Sequence, residues 1–183
     1  MPRTSLTHPL QIDSVIVPQT GGFIGMTICP GMEQGGLSEQ AWDRDLDLDL
    51  AAIKAWGATA LVTLIEDYEL EILSVAELPQ KMQAIGLEWH QLPIMNRDAP
   101  YEEFEENWII SGRILRQRLR QGERIVLHCV FGLGRSGMIA ARLLVELGES
   151  PDSAIRRVRA ARLGAIETEI QEQHILQCRL EEH

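Results

Sequence analysis

The chain has 183 residues, a formal net charge of −10, 45% hydrophobic and 24% charged side chains. That is ordinary globular usage at a length that fits one domain over residues 1–183. The negative balance excludes a general binder of nucleic acid or of an anionic membrane, because no basic field offsets repulsion from phosphate.

Residues 1–11 hold Pro2 and Pro9 without an apolar stretch of secretory type, and read as an irregular lead-in; no later segment approaches 18 uninterrupted apolar residues. Strands are expected over 12–17 and 23–29, then a helix from 43 or 44 to 56, which Gly57 is placed to stop. A strand over 60–64 begins a βαβ rhythm. Short helices over 69–75 and 79–85 precede a strand over 87–92. The segment 103–121 carries Ile110/Ile114 and Leu115/Leu119 at i,i+4 spacing, reads as a helix, and ends at Gly122. A β-branched strand, Arg124-Ile125-Val126-Leu127, comes next, and three helices follow. This order predicts an α/β fold, a three-layer sandwich with a mostly parallel central sheet and helices on both faces.

The most informative stretch is His128-Cys129-Val130-Phe131-Gly132-Leu133-Gly134-Arg135-Ser136, between that strand and a segment apolar almost all round, as a buried helix is. A strand-to-helix loop turns successive N–H groups toward one point in front of the positive end of the helix dipole, which makes an anion site. Gly132 and Gly134 allow the tight backbone this needs. Convergent N–H groups and a nearby guanidinium favour the thiolate of Cys129 over its thiol. Arg135 has the planar fork that matches two phosphate oxygens, and Ser136 can donate to the sulfur when it must leave. Val130, Phe131, Gly132, Leu133, Gly134 and Arg135 are thus the expected phosphate binders. A nucleotide-binding Walker loop is disfavoured, since no Lys-Ser or Lys-Thr pair follows Gly134.

This loop resembles that of the cysteine-dependent protein phosphatases, within them the dual-specificity group, and most of all the kinase-associated phosphatase branch. The likeness extends through Cys29-Pro30-Gly31, Leu64-Ile65-Glu66, Leu92-Pro93-Ile94 and Gly164-Ala165-Ile166-Glu167-Thr168 to Gln171. The resemblance implies the protein tyrosine phosphatase-like fold and a two-step reaction through a cysteinyl-phosphate on Cys129, with no cofactor and no metal. It implies a tuning role for His128, which as a strand residue also reads as a buried, hydrogen-bonded imidazole. It implies that Gln171 helps position the hydrolytic water, and that a loop aspartate protonates the leaving oxygen. Relatives carry that aspartate where this chain has Asn96, which has no proton to give; Asp98 is the nearest carboxyl and is taken as the acid. Glu66 and Asp67, at the end of the 60–64 strand, are competing candidates.

The expected partner is a phosphorylated protein, on phosphotyrosine and on phosphoserine or phosphothreonine, met by a monomer in a reducing cytoplasm, with no nucleic acid and no membrane. A small phosphate ester, nucleotide or inositol lipid, or a phosphate-reading module without turnover, are the alternatives. Three widely spaced cysteines, Cys29, Cys129 and Cys178, indicate neither a disulfide framework nor a structural zinc. Cys29 can protect an oxidised Cys129 as a disulfide if the fold brings the two together. Arg156, Arg157, Arg159 and Arg162 read as a solvated helix face, and the four tryptophans as packing.

Overall fold

The computed structural model of the protein describes residues 1–36, 38 and 40–182. Its central sheet has the order β1-β2-β7-β5-β6, built from β1 (Asp13–Ile16), β2 (Phe23–Thr27), β5 (Ala58–Thr63), β6 (Glu88–Gln91) and β7 (Arg124–His128). β1 is antiparallel to β2 and every other pair is parallel. The predicted sandwich is therefore present, with β7 at its centre. A two-stranded ribbon of β3 (Glu33–Gln34) and β4 (Trp42–Asp43) stands apart from the sheet. Two-residue strands leave no periodic trace, which is why the ribbon is invisible in the sequence.

The helices are α1 (Leu46–Ala55), α2 (Asp67–Ile72), α3 (Leu78–Ile85), α4 (Glu102–Arg120), α5 (Gly134–Glu146), α6 (Pro151–Ala161) and α7 (Glu169–Gln177). α1 starts later than the apolar pattern suggests, because Asp45 accepts from Leu48 N at 2.9 Å and caps it. That start leaves Arg44 free of the helix, buried against Asp49. α5 is buried along its whole length, as its apolar circumference predicts.

α4 departs from its predicted stripe. Leu115 and Leu119 are buried, but Ile110 is 68% exposed, and Phe104 and Trp108 turn inward instead. Their rings stack with centroids 5.3 Å apart, and Trp108 Nε1 donates to Glu146 at 2.9 Å. Two aromatic side chains bury more area than an isoleucine pair, so they set the rotation of the helix. No helix among the described residues is long and apolar enough to cross a membrane.

Candidate active site

β7 delivers the site by ending at His128 with neighbours on both sides, so the chain leaves the sheet at the carboxyl end of its central strand. Parallel sheets place their ligand crevices there. His128 itself is fully buried. Its Nδ1 lies 3.0 Å from the Cys129 carbonyl oxygen and its Nε2 2.8 Å from Thr63 Oγ1, which also receives Trp89 Nε1 at 2.8 Å. A carbonyl can only accept, so Nδ1 carries the proton and Nε2 accepts from Thr63. Burial holds the imidazole pKa down at about 4, against the opposing pull of its bond to Cys129. The buried, hydrogen-bonded imidazole expected at His128 is thus present, as a neutral strut that fixes the Cys129 peptide.

The next carbonyls are tied outward one by one. Val130 O accepts from Cys29 N at 2.8 Å, Phe131 O from Arg162 Nη2 at 2.8 Å, and Leu133 O from Gly137 N at 2.9 Å and Ile166 N at 3.2 Å. In a trans peptide the N–H points opposite to the carbonyl. The N–H groups of Val130, Phe131, Gly132 and Gly134 are therefore turned to the inside of the loop, where a phosphate would sit. Gly132 has φ +67°, and a Cβ there would collide with the Thr27 carbonyl, so the loop requires glycine. Ser136 Oγ donates to Cys129 Sγ at 3.2 Å.

Arg135 is 2% exposed and meets Glu69 end-on, with Nη1 at 2.7 Å from Oε2 and Nη2 at 2.9 Å from Oε1. Nη1 also donates to Ile94 O at 2.9 Å. Burial opposes the charge, but the Glu69 bonds outweigh it and keep the guanidinium protonated above the ordinary arginine range. Three of its five protons are spent this way. The Nε–H and the second Nη2–H remain, side by side on one edge, as a fork spaced for two phosphate oxygens.

Glu69 was not singled out in the sequence, where Glu66 and Asp67 were the second acids. Its signal was available: it stands three residues after Glu66 and accepts from Glu66 N at 2.8 Å, one half of a helix-capping pattern. Asp67 turns instead to Gln91 Nε2, at 2.7 Å.

A cavity of about 400 Å³ opens over the loop. Cys129, Val130, Phe131, Leu133, Gly134 and Arg135 form its base; Tyr68, Glu69 and Ile72 of α2 and its C-cap Leu73 form one wall, and Asn96, Arg97, Glu167 and Gln34 complete it. Asn96, the residue at the relatives' acid position, thus faces the cavity. Asp98 does not line it: Tyr101 Oη donates to its Oδ2 at 2.9 Å and Ala99 N to its Oδ1 at 2.8 Å. Gln171 is fully buried behind the wall, with Oε1 accepting from Glu167 N at 2.9 Å and from Thr168 N at 3.2 Å, and Nε2 donating to Asp98 O at 3.4 Å.

Cys29 is buried against the loop, and burial, then the neighbouring Cys129, pushes its thiol far above the usual range. The arginines of α6 and Arg162 at its C-cap are not a solvated face. Arg157 pairs with Glu149, Arg159 holds the carbonyls of Ala165 and Ile166, and Arg162 joins Asp13 to the loop at Phe131. Arg156 alone of the four is exposed.

A family model described as "Polymorphic toxin system, DSP-PTPase phosphatase" matches residues 35–149, more than half of the chain. Among curated proteins, a probable protein tyrosine phosphatase type IVA A of Dictyostelium discoideum is 35% identical over 89 residues, 48% of this chain and 52% of that one. The cyclin-dependent kinase inhibitor 3 of Rattus norvegicus is 30% identical over 149 residues, 80% of this chain and 66% of that one. The chain thus spans about half to two thirds of the length of these relatives. A kinase-associated phosphatase crystallised with its catalytic cysteine replaced by serine superposes with a TM-score of 0.79 at 26% identity, covering 91% of this chain and 92% of that one. Tk-PTP in its active form gives 0.61 at 27% identity over 90% and 93%. Sequence and fold agree, and the chain belongs to the dual-specificity (DSP-PTPase) phosphatase family.

Proposed function

We propose that the chain hydrolyses phosphate monoesters on protein side chains, phosphotyrosine and phosphoserine or phosphothreonine, through a cysteinyl-phosphate on Cys129. The observation that carries this reading is the open edge of Arg135 beside a loop in which the carbonyls of Cys129, Val130, Phe131 and Leu133 are bonded outward. Cys129 Sγ attacks phosphorus, while the loop N–H groups and Arg135 Nε and Nη2 hold the three equatorial oxygens. The P–O bond to the side chain breaks, and Asp98 gives the leaving oxygen its proton once its loop releases Tyr101. Water then cleaves the S–P bond, and Ser136 Oγ–H receives the returning thiolate.

The aromatic ring of Tyr68 and the apolar side chains of Ile72, Phe131 and Leu133 around the cavity favour a side chain over a polyanionic nucleotide or inositol headgroup. The reading takes the monomer as the acting unit, and a catalytic thiol is suited to a reducing compartment such as the cytoplasm. The test is hydrolysis of p-nitrophenyl phosphate and of a phosphopeptide panel in EDTA. Wild type is expected to turn over both and to be competitively inhibited by vanadate, whereas Cys129→Ser has no turnover and still retains vanadate or phosphopeptide. Wild-type activity in Cys129→Ser removes the cysteine from the mechanism.

A further inference from the structure

We infer that Glu167, held in place by Gln171, is the catalytic base that takes a proton from the water hydrolysing the cysteinyl-phosphate. Among the described residues lining the cavity, the carboxyl groups are Glu69 and Glu167. Glu69 has both oxygens engaged, Oε1 by Arg135 and Oε2 by Arg135 and Glu66 N, so it has no room for a reacting water. Glu167 has room. Its carboxylate is ion-paired with Arg97, whose Nη1 lies 3.6 Å from Oε2, beyond hydrogen-bond length, so the oxygen can still accept from a water.

The position of Glu167 is equally specific. A Cβ built on Gly134 would come within 2.9 Å of Glu167 Oε2 and 3.1 Å of both amide atoms of Gln171, so the carboxylate lies, with the Gln171 amide beside it, against the residue that opens α5, on the rim of the phosphate loop. Gln171, the residue expected to meet water, has Oε1 filled by the N–H groups of Glu167 and Thr168, while one proton of Nε2 reaches Asp98 O at 3.4 Å. Gln171 does not line the cavity and is a positioning residue. What it positions is the backbone that aims Glu167. The leaving-group proton belongs to the other loop, which carries Asp98.

The step is balanced. Water oxygen attacks phosphorus of the Cys129 ester as one of its protons passes to Glu167 Oε2. The S–P bond breaks with its electron pair returning to Sγ, inorganic phosphate departs, and Glu167 releases the proton to solvent.

This inference rests on the cysteinyl-phosphate reading, and the experiment separates the two. Rapid mixing with ³²P-labelled p-nitrophenyl phosphate follows p-nitrophenolate release, while acid quenching counts labelled enzyme. Glu167→Gln is expected to release a burst of about one equivalent of p-nitrophenolate, accumulate phosphoenzyme, and then turn over about 10²-fold more slowly than wild type. Glu167→Asp, which keeps a displaced carboxylate, recovers part of that rate. Gln171→Ala shows the same burst with a smaller loss. Wild-type turnover in Glu167→Gln overturns the assignment, as does a burst slowed as much as the steady state, or no recovery in Glu167→Asp. Absence of labelled enzyme in every variant, with Cys129→Ser still active, instead overturns the cysteinyl-phosphate reading itself.

Discussion

Two buried arginines meet buried carboxylates through opposite edges. Arg44 grips Asp49 side-on, through Nε at 2.7 Å and Nη2 at 2.8 Å, and spends Nη1 on His8 O at 2.9 Å. Asp49 is then completed by Ser5 Oγ and Gly31 N, at 2.8 and 2.9 Å. Arg135 grips Glu69 end-on and keeps the side edge open. The first pair is closed, and ties the N-terminal segment and the turn at Gly31 to α1. The second is closed on one side only, so a charge already desolvated and oriented still has two donors to give. Burial of an ion pair is costly in either place, but only the second arrangement converts that cost into preorganisation for a dianion.

The sharpest way to break this comparison is to swap each arginine for a residue without its fork. Arg135→Lys keeps a cation for Glu69 but cannot present two parallel donors, and kcat is expected to fall about 10³-fold. Steady-state kinetics on p-nitrophenyl phosphate measures it, and a near-normal kcat would refute bidentate clamping.

Arg44→Met acts on stability instead. It leaves Asp49 buried and uncompensated, at about 3–5 kcal/mol, or roughly 10 °C in Tm for a chain of this size. Folded Arg44→Met should keep wild-type kcat at 25 °C. A loss of kcat without a loss of Tm would place Arg44 in the catalytic machinery and undo the contrast.

His128 sharpens the comparison because it is buried at the same loop yet neutral. Its pKa is held down at about 4 by burial, against 6.5 in the unfolded chain. The unfolded state therefore binds a proton that the folded state excludes. The full contribution of this group is present above pH 6.5 and is lost as pH falls toward 4, about 3 kcal/mol across that window. Urea unfolding at pH 7, 5.5 and 4.5 should show the decline in wild type and a shallower one in His128→Gln. Equal slopes in the two proteins would assign the acid sensitivity elsewhere.

A smaller effect is expected at the loop after β6. Asp98→Asn should lower kcat for phosphotyrosine peptides about 10²-fold, with a lesser loss for p-nitrophenyl phosphate, whose leaving group needs less help. Asn96→Asp should raise the phosphotyrosine rate, since Asn96 already faces the cavity. An unaltered pH profile in Asp98→Asn moves the proton-donor role to another group.

The legible part of this protein is the part in which chemistry and neighbours are close in sequence. The strand ending at His128, the turn through Gly132 and the buried helix from Gly134 declare themselves by β-branching, glycine and an apolar circumference, and the residues from Cys129 to Ser136 hold the proposed nucleophile, phosphate cradle, guanidinium clamp and hydrogen-bond donor to the sulfur in one short segment. β3 and β4 were too short for any period, and the rotation of α4 was decided by how Phe104 and Trp108 pack rather than by the spacing of its isoleucines.

The orientation of the site belongs to tertiary structure alone. Glu69 lies 66 positions before Arg135 and fixes which edge of the guanidinium is free. Asp98 is turned to Tyr101 and Asn96 to the cavity by the path of a loop whose Arg97 has φ +64°. Glu167 reaches the rim because Gln171 grips its backbone. By itself the sequence determined which groups can do phosphate chemistry, since that follows from residue type and local backbone. Which face of each group meets the substrate depends on contacts between elements distant in the chain, and no local pattern encodes those.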